Sequence, residues 1–188
     1  MPPAVIGIVG LPGSGKTEVA KSLATSGATI VRMGDVVWQE LERRGRAITD
    51  ANVGQLSNEF RKLEGMGAIA KRSVPLVEAA GKGKRAVVVD GIRGISEVDE
   101  FRKAFGKGFH LIAVWSSEKS RYSRIASRRR VDDPLNLENF REKDLRELSW
   151  GLGDALALAD VLFVNEGSIA ELRAKSAGYF KRGIGEKT

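Results

Sequence analysis

Residues 4–17 read AVIGIVGLPGSGKT, an apolar, β-branched run closing in a glycine-rich turn and the sequence Gly-Lys-Thr. Six apolar or small residues without alternation predict a strand buried on both faces of a parallel sheet. Residues 10–17 (GLPGSGKT) satisfy the spacing G-x-x-x-x-G-K-[ST]. They stand where that spacing has mechanical meaning, after a strand and before a helix expected at residues 16–25. Gly10, Gly13 and Gly15 let the loop approach an anion closely, with Pro12 and Ser14 between them, so that backbone N–H groups face phosphate oxygens. The helix adds its positive end. Lys16 is placed for the β and γ phosphates of ATP, and the Thr17 hydroxyl for Mg²⁺.

Similar apolar runs recur at 29–31, 86–89 (AVVV), 109–115 (FHLIAVW) and 161–164 (VLFV). The segments between them carry helical patterns at 36–44, 53–62, 68–80, 96–104, 118–129 and 137–158, which makes an α/β chain with five parallel strands. The interval between the second and third strands is too long for one crossover and predicts a helical insertion at about 35–80. Asp90 closes AVVV and therefore projects from the carboxyl end of a strand, where such sheets bind ligands. It is the second candidate for Mg²⁺ or its waters; an ordinary turn-starting Asp is the competing reading.

The chain has 188 residues, no Cys and one His, so disulfides and Cys-ligated zinc are excluded and any metal is expected to be oxygen-bound. Thirty-one Lys and Arg against 24 Asp and Glu give a net charge of +7, which favours an anionic partner. With no apolar run long enough to span a bilayer and no leader-like start, a cytoplasmic protein of one domain, without membrane association, is expected. Residues 119–130 (KSRYSRIASRRR) hold six basic residues and no acid. On a helix Arg121, Arg124 and Arg128 share one face, a suitable arrangement for the charge that builds up in phosphoryl transfer. A solvated basic face or a nucleic-acid-binding stripe are the alternatives. Trp38, Trp115, Trp150 and His110 read as packing residues.

Taken together, GLPGSGKT, the MGD at 33–35, the DGIR at 90–93, RIASRR at 124–129 and ADVLFVNEGS at 159–168 resemble the adenylate-kinase-like P-loop nucleotide kinases. The resemblance is strongest to archaeal adenylate-kinase-related proteins, themselves similar to dephospho-CoA kinases. It implies a three-layer P-loop NTPase fold with sheet order 2-3-1-4-5, core segments at about 4–34, 84–130 and 141–172, and a short lid at about 128–141. It also implies that Asp35 and Arg93 lie at the acceptor, that Arg124 and Arg128 contact nucleotide and phosphate, that Arg141 lies on the lid's return helix with Asp144 and Glu147, and that Asn165 is in a loop beside adenine. Lys143 and Arg146 are neighbours that can substitute for Arg141. Trp38 occupies a position where adenylate kinases carry Arg, with Arg43 or Arg44 as possible replacements, and DGIR is one residue shorter than their DG-x-P-R. The acceptor is accordingly open between AMP or another nucleoside monophosphate and a hydroxyl compound such as dephospho-CoA. A nucleic-acid-associated ATPase or a regulatory nucleotide-binding protein is the alternative.

Overall fold

A computed structural model describes residues 2–128 and 136–182. Five parallel strands, β1 (Ala4–Val9), β2 (Thr29–Arg32), β3 (Ala86–Asp90), β4 (Phe109–Trp115) and β5 (Val161–Val164), form one sheet in the order β2-β3-β1-β4-β5. This is the order that the resemblance implied. Gly7 of the central strand lies opposite Val89 on one side and Leu111 on the other.

Both faces of the sheet are covered, which is why the strands are apolar throughout. Val5 and Val9 point, with Val87, Val89 and Leu111, into a core closed by α2 (Gly34–Arg43), α3 (Asp50–Glu64), α4 (Ala68–Gly81), α5 (Ile95–Phe105) and the later α8 (Leu152–Ala157). Ile6 and Ile8 point the other way, with Val88 and Ile112, against Val19 and Leu23 of α1 (Lys16–Thr25) and Leu172 and Phe180 of α9 (Ile169–Arg182). Each of these fully buried side chains stabilises the fold by about 1.5–3 kcal/mol relative to exposure. The insertion between β2 and β3 consists of α2, α3 and α4. No helix among the described residues is long and apolar enough to cross a membrane.

Two expectations change. The single helix expected over 137–158 is two, α7 (Leu137–Leu148) and α8, following α6 (Glu118–Arg128). Between them Gly151 has φ +83°, and its carbonyl accepts the Ile95 N–H at 3.2 Å. Here the loop after β3 presses so closely that a Cβ on Gly94 would lie 1.9 Å from the Trp150 carbonyl oxygen. The break is therefore made by a tertiary contact. The second change is α9, which lies beyond the elements expected from the sequence; its buried Leu172, Ser176 and Phe180 recur every four residues.

All strands end at one edge of the sheet. The chain leaves β1 to one side for β2 and β3 and to the other for β4 and β5. The loop after β1 thus stands at the switch point where open α/β sheets take ligands.

Candidate active site

Side chains hold the carbonyl groups of residues 10–14 of the loop. Lys16 Nζ donates to the carbonyls of Gly10 (2.5 Å) and Leu11 (3.1 Å). Arg121 Nη1 donates to that of Pro12 (3.2 Å) and Arg124 Nη1 to that of Gly13 (3.4 Å). Asn165 Nδ2 donates to that of Ser14 (2.8 Å). The N–H groups of Gly13 and Gly15, on the other side of the Pro12 and Ser14 peptide planes, and those of Lys16 and Thr17 in the first turn of α1 have no acceptor among the described residues. The Ser14 hydroxyl, in a residue 1% exposed, is buried without a partner as well. A buried unpaired hydroxyl costs free energy unless a partner meets it, and the N–H groups gathered beside it form a concave set of donors of the kind that suits an anion.

Close approach explains the glycines. A Cβ on Gly10 would lie 2.5 Å from the Val114 carbonyl, and one on Gly13 2.8 Å from the Arg121 carbonyl. Gly15 adds a φ of +107° to a 2.5 Å approach to Asn165 Nδ2, a backbone conformation that L side chains rarely adopt.

Burial pulls the Lys16 ammonium down to a pKa of about 8, against the attraction of Glu147 and Asp90 and with the repulsion of Arg93 and Arg121. Thr17 is exposed at the start of α1, and Asp90 is half-buried at the end of β3. Arg124 also donates to the Ser116 hydroxyl (2.8 Å) and the Asn165 carbonyl (2.8 Å), tying α6 to the turn after β5. Arg124 and Asn165 are thus brought to the loop together. Asn165 is buried, in place of the ordinary surface turn that its sequence context equally allowed.

Beside the loop lies a cleft of about 600 Å³. Val53, Ser57 and Arg61 of α3 form one wall, and Lys143, Arg146, Glu147 and Trp150 at the end of α7 the other, with Gly34, Gly91 and Arg93 at the sheet edge. Two of the cleft's cations are paired with buried acids. Arg93 Nη1 donates to Glu147 Oε1 at 3.0 Å. Arg61 is 3.7 Å from Glu97 and lies over the Trp150 ring at 5.3 Å. Glu97 accepts the Arg93 backbone N–H at 2.6 Å, while burial pushes its carboxyl above the usual range.

The other expected residues fall elsewhere. Asp35 is half-buried in the first turn of α2, outside the cleft lining, and has no hydrogen-bond or ion-pair partner among the described residues. Arg141 donates to Glu118 at 2.8 Å on the exterior. Arg43 and Arg44 bind Glu40 at 2.6 and 2.7 Å on the far end of α2. Arg128 ends α6, but its side chain, and residues 129–135 of the lid expected at about 128–141, lie outside the described residues. Arg121 parts from its face-mates and turns beneath the loop. Arg61, Glu97 and the cleft-facing role of Trp150 were not anticipated; for Trp150 the helical spacing 143, 146, 147, 150 was the available signal, although α7 itself ends at Leu148.

A family model described as an AAA domain matches residues 9–141. The UPF0200 protein of Methanosarcina mazei is 42% identical over 169 residues, covering 90% of this chain and 89% of that protein. The chain belongs to the UPF0200 family of AAA-domain proteins. Among solved structures, an unliganded sugar kinase from Janibacter sp. HTCC2649 superimposes with a TM-score of 0.59 at 14% identity, over 96% of this chain and 95% of that one. The APS kinase of Mycobacterium tuberculosis, in complex with AMPPNP and APS, does so with 0.55 at 14%, over 96% and 98%. The α/β fold is that of the P-loop kinases.

Proposed function

We propose that this chain is an adenylate-kinase-like enzyme that transfers the terminal phosphoryl group of ATP to a nucleotide-like small molecule held in the cleft between α3 and α7. The observation that carries the reading is the cluster of four loop N–H groups without an acceptor and the buried Ser14 hydroxyl, beside five successive loop carbonyls, from Gly10 to Ser14, each tied to a side chain. Lys16 exchanges its carbonyl partners for phosphate oxygens. The related fold of an APS kinase binds AMPPNP, which supports a nucleoside triphosphate in this one.

Among the described residues no group of three or more His, Cys, Asp or Glu is placed to hold a metal. Thr17, exposed at the start of α1, and Asp90, half-buried at the end of β3, are the oxygen donors that would hold Mg²⁺ together with a triphosphate, and the ion would supply neutralisation of phosphate charge. Arg124, fixed against the loop, stabilises charge on the transferred group, and Arg128 and Arg141 are the further cations, the latter once it leaves Glu118. Arg93, in the cleft lining, binds an anionic group of the acceptor, and Asp35, in the first turn of α2 between the lining residues Gly34 and Val37, orients it. A phosphate acceptor such as AMP needs no base, whereas a hydroxyl acceptor such as dephospho-CoA loses its proton to a carboxylate.

Incubation of γ-labelled ATP with nucleoside monophosphates and with dephospho-CoA, beside a Lys16→Ala control, tests the proposal. Label should pass to one acceptor class only with Lys16 present. No transfer to any of them sinks the proposal. Asp35→Asn then separates the chemistries: turnover lost by orders of magnitude at unchanged acceptor affinity marks a hydroxyl, and a mild effect marks a phosphate.

A further inference from the structure

Among the described residues Arg121 is one of the most deeply buried cations, at 4% exposure. All of its acceptors are internal. Nη1 and Nη2 grip Asp144 of α7 at 2.9 and 2.6 Å, Nε donates to the Ser116 carbonyl at 3.2 Å, and Nη1 reaches the Pro12 carbonyl at 3.2 Å. The guanidinium lies over the buried Phe140 ring at 5.0 Å. Its backbone forms the floor under Gly13, where no side chain fits. Asp144 is itself only 7% exposed.

Such a pair is an expensive way to stabilise a fold. Removing two charges from water costs several kcal/mol per ion, and apolar replacements of similar volume are often as stable or more so. What an apolar pair cannot do is donate to the Pro12 carbonyl and fix the direction of one peptide plane in the loop. Turning that carbonyl outward turns the next N–H, that of Gly13, inward. Resting on the nucleotide-binding reading above, we infer that Arg121, held by Asp144, is a positioning residue that sets the loop's peptide planes for a triphosphate. It touches no phosphate itself. Helical spacing places it with Arg124 and Arg128 as a phosphate ligand, whereas its guanidinium lies behind the loop. Because Asp144 stands one turn before Glu147, the partner of Arg93, the helix that walls the acceptor cleft is the same one that braces the nucleotide loop.

The test uses three proteins: the unchanged chain, Arg121→Lys, and the double variant Arg121→Leu with Asp144→Leu. Binding of Mg-AMPPNP is followed by calorimetry, and folding by thermal melting. The lysine variant keeps the charge but not the fork of donors, and is expected to bind about tenfold or more weakly, as misplaced site groups do. The double variant leaves no buried charge unpaired. It should melt cooperatively near the unchanged protein's midpoint and still bind at least as weakly as the lysine variant. If it regains both stability and binding, the pair is only structural and the inference is overturned. A double variant that does not fold overturns it too, because the pair would then be needed for folding itself. Absence of binding by the unchanged chain overturns the nucleotide reading and this inference with it, a result distinct from the other two.

Discussion

The ammonium of Lys16 donates to the carbonyls of Gly10 and Leu11, and burial holds its pKa near 8. A triphosphate would replace these neutral oxygens with anionic ones and raise that pKa. The sign follows. Below about pH 8 the lysine is already charged, and binding takes up no proton through it. Above that value the free protein has lost the proton and must regain it, so affinity should fall by up to about tenfold per pH unit until the bound-state pKa is reached. Calorimetry of Mg-AMPPNP in two alkaline buffers of different ionisation enthalpy reads the proton directly. Equal heats in the two buffers, together with a flat affinity, would show that Lys16 does not meet the phosphates.

At the scale of elements, the contact between the β3–α5 loop and the α7–α8 turn organises the cleft. Gly94 has φ −173°, an extended conformation open to any residue, so space alone requires glycine there. A methyl group at 94 would drive against the Trp150 carbonyl, which is backbone and cannot swing away. Gly94→Ala is expected to destabilise by about 3 kcal/mol, at the upper end of overpacking costs, and to displace Trp150 from Arg61. Denaturant unfolding measures the first effect and Trp fluorescence the second; a variant as stable as the parent, with unchanged fluorescence, refutes the contact. The same junction shows where sequence patterns lose information. Strands buried on both faces announce themselves by composition, and the phosphate loop by its glycine spacing, because local residues set both. The break after Leu148 is imposed by a loop distant in the chain, and α9 fully buries only Leu172, Ser176 and Phe180, with Tyr179 partly buried against the same core. Arg121 has the spacing of a phosphate ligand and the position of a brace, since a long side chain follows its carboxylate partner, and the location of Asp144 in space is not contained in the helical period of α6.

On the scale of the whole molecule, the free donors of the loop and the paired cations of the cleft lie at one edge of the sheet, and an anion bound there is bound by the folded chain alone. Unfolding scatters the loop carbonyls from Lys16, Arg121, Arg124 and Asn165, which come from three separate regions of the chain. Ligand binding must therefore be linked to stability through RT ln(1 + [L]/Kd). At a Mg-ATP concentration of about 100 times Kd the added stability is about 2.7 kcal/mol, which for a domain of this size corresponds to a rise in melting midpoint of about 5–10 °C. Net charge alone, at +7, would let any polyanion bind loosely, so the informative comparison is among ligands. Mg-ATP should raise the midpoint more than tripolyphosphate if the turn at Asn165 contacts the base, and Lys16→Ala should abolish most of both shifts. If instead the midpoint rises with any polyanion in proportion to its charge, and falls back in moderate salt, the chain binds by its surface field and the loop is not the site.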